Sequence, residues 1–122
     1  MEWSSVQLKK IGSNRYELLE EVVVKYENIT IRIPKGFKTN GADIPRVLWS
    51  IFPPFSPEYI EPVVIHDYLC ELAHKDNDFR FADSLFKEAL LASGINKLKV
   101  YSFYLGVRSY HKTIETLKGG EK

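Results

Sequence analysis

The hydrophobic pattern of this chain changes period once, at Pro34-Lys35-Gly36, and that change dictates strands before it and helices after it. From Arg15 to Lys25 the run is rich in β-branched and aromatic residues, and Ile29-Thr30-Ile31-Arg32-Ile33 alternates strictly until Pro34 stops it. Glu27-Asn28 stands where a hairpin turn is needed. An earlier strand over 6–11, ended by Gly12-Ser13-Asn14, completes a three-stranded antiparallel sheet. Side chains alternate along a strand, so Ile29, Ile31 and Ile33 share one face while Thr30 and Arg32 take the other.

Beyond Gly36 the spacing becomes helical. Ser56 is placed to cap a helix, Pro57 has no N–H to lose in its first turn, and Glu58 complements its dipole; this helix runs to about His74. A second follows Asn77 or Asp78 and ends at Gly94, with Phe79, Ala82, Phe86, Ala89 and Leu90 recurring at helical intervals. A third begins after Asn96 and turns Val100, Phe103, Tyr104, Val107, Tyr110 and Ile114 inward. The expected architecture is α+β: an N-terminal antiparallel sheet of about three strands, a motif loop and three α-helices. It forms a single domain over 1–118 with a flexible tail over 119–122.

At 122 residues and 44% hydrophobic content the chain is large enough to fold on its core alone. Cys70 is the single cysteine, so no intrachain disulfide forms, and its apolar helical surroundings read as those of an inert buried thiol. A formal charge of +1, from 17 basic and 16 acidic residues, lacks the basic excess that binds many phosphates, and no nucleic-acid partner is expected. No apolar run approaches the roughly 18 residues of a membrane span, and Met1-Glu2-Trp3-Ser4 does not open a secretory signal. An intracellular protein with no membrane partner is the expectation.

The polar residues gather in the central third. Asn40-Gly41 is a turn signal because both residues tolerate positive φ. Asp43 precedes Ile44-Pro45-Arg46-Val47-Leu48-Trp49 and has two readings, an N-cap for a short helix or a metal ligand or acid/base group at the domain's middle. Trp49 and Pro53-Pro54-Phe55 form a stiff aromatic wall that covers the core. His66 and Asp67 lie mid-helix between Val63-Val64-Ile65 and Tyr68-Leu69, where an ionised carboxylate needs a partner. Arg46 or Arg108 is the expected partner of Asp67 or Asp83, through paired guanidinium hydrogen bonds.

Adjacent helical residues diverge by about 100°, so His66 and Asp67 can only flank a common point. Asp83 stands four residues before Lys87, the spacing of an ordinary exposed helix pair, yet it also falls on the edge of an apolar stripe facing the first helix. Together Asp43, His66, Asp67 and Asp83 compose a donor set for Zn²⁺, Mn²⁺ or Mg²⁺, with Asp43, His66 and Asp83 as the ligands. His74 and His111, near helix ends, are expected to cap and to meet solvent.

These motifs, Gly36-Phe37-Lys38-Thr39-Asn40-Gly41-Ala42-Asp43-Ile44-Pro45-Arg46 with Leu48-Trp49, His66-Asp67-Tyr68-Leu69, Arg80, Ala82-Asp83 with Leu85-Phe86, and Val107-Arg108, resemble a small phage and prophage family, domain of unknown function 1353. The resemblance spans roughly residues 30 to 110. It implies a viral or prophage origin, hence a location in the host cytoplasm or in the virion, and brings no established activity. That family usually shows Thr-Asp-Gly-Ala-Ser where this chain has Thr39-Asn40-Gly41-Ala42-Asp43. Asn40 lacks the charge of a ligand or base, and a serine nucleophile at position 43 is excluded here. Ser and Asp share the ability to cap a helix, whereas the His66-Asp67 and Asp83 matches are intact.

Two functions fit these residues. One is a small hydrolase in which His66, Asp67 and Asp83 do the chemistry, as a His/Asp set or around a divalent ion, with Asn40, Asp43, Arg46 and Arg108 binding or orienting; a polarised water attacks an ester, amide or phosphoester. The other is a non-enzymatic phage accessory, virion-assembly or interaction protein, partnered by a phage or host protein, in which the same residues form a buried structural network.

Overall fold

Strands do precede helices, but they make two small sheets where the sequence reading expects one. The computed structural model describes residues 1–41 and 43–120; Ala42 of the motif loop and the last two positions of the expected tail lie outside the described residues. Strands β1 (Glu2–Trp3), β4 (Val22–Tyr26) and β5 (Ile29–Ile33) form one antiparallel sheet in the order β1-β4-β5. Strands β2 (Leu8–Gly12), β3 (Arg15–Leu18) and β6 (Lys38–Thr39) form the other, in the order β2-β3-β6. The run from Arg15 to Lys25 is divided because Leu19-Glu20-Glu21 leaves the ladder between β3 and β4.

Both hairpins turn where the sequence places turns. Tyr26 faces Ile29 across Glu27-Asn28, with Glu27 in the left-handed region at φ 52. Along β5 burial deepens from Ile29 at the exposed end to Ile33, while Thr30 and Arg32 stay exposed, the alternation of a strand with one covered face. Strand β6 is short but decisive for position: Thr39 pairs with Tyr16, which ties the start of the motif loop to a sheet just before it turns toward the helices.

The helices are α1 (Ile60–Ala73), α2 (Arg80–Ala92) and α3 (Lys97–Gly120). Helix α1 starts later than expected. Ser56 makes no cap; its backbone carbonyl instead accepts from Tyr59 and Ile60, and the helix begins after Tyr59, whose ring is held against Phe52 and Phe103. Burial of that ring fixes where the chain can become helical. Helix α2 ends as the sequence indicates, with Gly94 at φ +81 and the Ile95 N–H reaching back to Leu90. Helix α3 begins under Asn96, whose side-chain oxygen accepts the Lys99 N–H at 2.9 Å. No described helix is long and apolar enough to cross a membrane.

Two apolar clusters form the interior. One joins Leu18, Val22, Val24 and Ile33 of the sheets to Val64, Ile65, Leu69, Phe79, Ala82 and Leu85. The other joins Ile44, Phe52 and Tyr59 to Val63, Phe86, Leu90, Val100, Phe103 and Val107. Helices α1 and α2 contribute to both, and the buried polar residues His66, Asp67 and Asp83 stand on those same two helices.

Phe103 centres the second cluster, stacked on Phe52 at 4.6 Å and edge-on to Phe86 at 4.8 Å and Tyr59 at 5.5 Å. Truncating Phe103→Ala opens a cavity among rings that cannot collapse onto it, and is expected to cost about 3 to 5 kcal/mol in urea unfolding. A loss below about 1 kcal/mol would show that the rings repack.

Candidate functional site

Asp83 sits in the first turn of α2 with no solvent exposure. Its Oδ1 accepts from His66 Nε2 of α1 at 2.7 Å and from His111 Nδ1 of α3 at 2.8 Å; its Oδ2 accepts from Arg108 Nη1 at 2.9 Å. One carboxylate therefore ties together all three helices. Arg108 also pairs with Glu115, whose other oxygen accepts the Phe79 N–H at 2.6 Å, so the guanidinium is itself held in place. The expected arginine–carboxylate pairing is present as Arg108 on Asp83. Lys87 does not join it: its ammonium lies 5.1 Å from the Tyr104 ring centre.

His111 is fully buried, contrary to the solvent-facing cap expected of it. Its ring stacks on Phe79 with centres 4.2 Å apart, and its two nitrogens reach two carboxylates, Nδ1 to Asp83 and Nε2 to Asp43 Oδ1 at 3.1 Å. Burial alone would pull this imidazole down, but the bonds to Asp43 and Asp83 outweigh it and hold it up at about 9. Burial pushes Asp83 up in turn, and the bonds from His111 and His66 more than reverse it, so the carboxyl stays below its ordinary range. The signal for His111 was in the spacing. Val100, Phe103 and Val107 lie on the inward stripe, and four residues on is 111, not the half-exposed Tyr110.

Asp43 does not cap the short 3-10 helix Arg46–Leu48; Pro45 stands at that end and no side chain caps it. The Asp43 side chain turns instead to His111, with His74 Nε2 3.7 Å from the same oxygen, Oδ1. The contact with a buried imidazolium outweighs a cap exposed to water. His74, about half exposed, ends α1 as expected.

Cys70 follows His66 by one helical turn, its Sγ 3.3 Å from His66 Nε2 and 4.0 Å from His111 Nε2. Burial pushes its thiol far up, and the nearby charges of Asp43, Asp83 and Asp67 push the same way. His66, Cys70, Asp83 and His111 each offer one donor atom, all within 4.8 Å of one another and all buried. Tetrahedral zinc, with bonds of about 2.0 to 2.3 Å, sets its donors roughly 3.5 Å apart. The four atoms bracket that spacing, from 2.7 Å between His66 Nε2 and Asp83 Oδ1 to no more than 4.8 Å.

Asp67 parts from His66, as adjacent helical positions must. Its Oδ2 accepts from the Thr39 hydroxyl and from the Gly41 N–H at 3.0 Å, not from Arg46 or Arg108, and Oδ1 has no hydrogen-bond partner among the described residues. Burial pushes this carboxyl up to about 6 against the pull of the Thr39 hydroxyl. Gly41 is required beside it: φ is +70, and a Cβ would lie 3.2 Å from both Trp49 and Phe55. Asn40, Asp43, Asp67, Glu71 and His74 border a polar cleft of about 230 Å³, so Asp43 belongs both to the buried cluster and to the cleft. Arg46 lies away from this centre, stacked over Trp49.

The family described as "Protein of unknown function (DUF1353)" matches residues 16–107, and the chain belongs to it. The chain is similar to two proteins of Sinorhizobium fredii (strain NBRC 101917 / NGR234). It is 34% identical over 87 residues to "Uncharacterized protein y4jT", covering 69% of this chain and 25% of that protein. It is 32% identical over 89 residues to "Uncharacterized protein y4iH", covering 72% and 36%. The chain thus spans about a quarter to a third of the length of these relatives. No solved structure matches it significantly.

Replacing Arg108 by Met removes a charged donor from Asp83 and leaves the Glu115 side chain with the Phe79 N–H at the start of α2 but without its cation. The expected loss is about 1.5 to 3 kcal/mol, measured by denaturant unfolding, since hydrogen bonds to charged groups carry that much. An unchanged midpoint would mean that the two histidines alone satisfy Asp83.

Proposed function

We propose that this member of the DUF1353 family is a metal-dependent hydrolase, with a zinc-class divalent ion held among His66, Cys70, Asp83 and His111. The reading is carried by one observation, the convergence of four buried donors within 4.8 Å. Of the ions that carboxylates and one imidazole would admit, a thiol and two imidazoles select zinc, because Mg²⁺ and Mn²⁺ prefer oxygen. An ion held there would supply a Lewis acid and would lower the pKa of a water entering as a fifth ligand beside the four donors. The residues of the chain do the rest. Arg108 holds Asp83 in place, and Asp43 carries the polar cluster to the cleft, where it positions a water against an ester, amide or phosphoester. Asp67, fixed by Thr39 and Gly41, shapes the cleft's other wall. A phage or prophage derivation belongs to the same proposal and rests on family resemblance.

A second reading has its own observation. Asp83 already accepts from His66, His111 and Arg108, which is what a buried structural network joining loop and helices needs. The protein would then be a phage accessory or virion-assembly component acting through a protein partner.

Elemental analysis of the purified protein separates the two. The hydrolase reading expects about one equivalent of zinc per chain. With cobalt in its place, a thiolate-to-metal absorption band should be present that Cys70→Ser abolishes. His66→Ala and Asp83→Asn should then lose both metal and hydrolysis. Metal-free wild type that takes up neither ion, with both variants destabilised by roughly 2 to 5 kcal/mol, would establish the structural network.

A further inference from the structure

The chain has five arginines, and three of them are paired with carboxylates: Arg32 with Glu21, Arg80 with Asp78, and Arg108 with Asp83 and Glu115. The other two, Arg15 and Arg46, form no ion pair among the described residues, and both border one cleft of about 510 Å³. That volume suits a small organic ligand. No carboxylate lies among the described residues lining it, so its field is positive.

The walls are built rather than loose. The Arg46 guanidinium lies 4.2 Å over the Trp49 ring, and both side chains line the cleft. Trp49 is fixed by its Nε1–H, which donates to the Ile44 carbonyl at 2.9 Å, and by Phe55 edge-on at 5.9 Å. Tyr110, the residue of α3 displaced from the inward stripe by His111, presents a half-exposed ring to the same space. Asn40 borders both this cleft and the polar cleft of Asp43, so the two are neighbours across the Asn40-Gly41 turn.

We propose that this cleft binds the oxyanion of a small ring-bearing molecule, its phosphate or carboxylate gripped by Arg15 and Arg46 and its ring lying against Trp49 and Tyr110. Guanidinium forks match either oxyanion in pairs of hydrogen bonds, and the aromatic walls favour a flat or apolar group beside it. Identifying the bound molecule as the substrate, with its scissile bond reaching Asp43, rests on the hydrolase reading; the binding itself does not.

Calorimetric titration of the full chain, as purified and after chelation of any metal, tests this with four probes. Phenyl phosphate and benzoate carry ring and anion, inorganic phosphate the anion alone, and benzyl alcohol the ring alone. At least one ring-bearing anion is expected to bind saturably, more tightly than inorganic phosphate and with benzyl alcohol silent, and the better of the two identifies the oxyanion. Arg46→Gln and Arg15→Gln, both at exposed positions, should each weaken it by about tenfold. Absence of saturable binding, equal affinity for inorganic phosphate or benzyl alcohol, or unchanged affinity in both variants would overturn the proposal. Binding that survives chelation in a protein shown to hold no metal would leave this site standing while the hydrolase reading fell.

Discussion

A carboxylate removed from water must be met by donors, and in this protein the requirement of Asp83 organises the interior. Leaving it ionised and unpaired would cost several kcal/mol, comparable to much of the stability of a domain this size. His66 from α1, and His111 and Arg108 from α3, meet it together, so the three helices cannot slide past one another without breaking a charged hydrogen bond. The apolar clusters supply the driving force for collapse, but such contacts are non-directional. The polar junction gives them a register.

The same junction explains the motif loop. His111 has a second nitrogen to satisfy once Nδ1 is committed to Asp83, and Asp43 answers it. On the other side of the turn Asp67 accepts from Thr39 and the Gly41 N–H, while β6 ties Thr39 to the sheet. The loop is thus anchored from the sheet, from α1 and from α3, and its glycine is pressed under two aromatic rings. Loops held this firmly can position chemistry, because the groups they carry keep their geometry without the ordering cost that a free loop pays on binding.

Much of this was legible in the chain. The change of hydrophobic period placed the strands and helices, Asn96 and Gly94 marked helix ends, and His66 and Asp83 stood out as polar residues in apolar runs. Other features were hidden for definite reasons. His111 lies three residues before Ile114 and one after Tyr110, so two stripes fit the same helix, and only the presence of Asp83 opposite position 111 chooses between them. Ser56 and Asp43 both had the local chemistry of a helix cap, and both were overruled by longer-range contacts, the burial of Tyr59 in one case and the imidazolium of His111 in the other. The two sheets could not be told from one because strand pairing joins residues far apart in sequence, such as Tyr16 with Thr39.

The sequence by itself determined the α+β order, the positions of the turns and the identity of most polar residues at the centre. These follow from period, backbone preference and the cost of burying charge, all of which act locally. Only the tertiary structure decided who met whom. It put Arg108 rather than Lys87 on Asp83 and gave Asp67 to Thr39 and Gly41. It also brought Cys70 and His111 into the cluster and set Arg15 and Arg46, neither in an ion pair among the described residues, at one cleft. Hydrogen bonds and charge pairs act over a few ångströms in space, whatever the separation along the chain, and that distance is set only when the helices close.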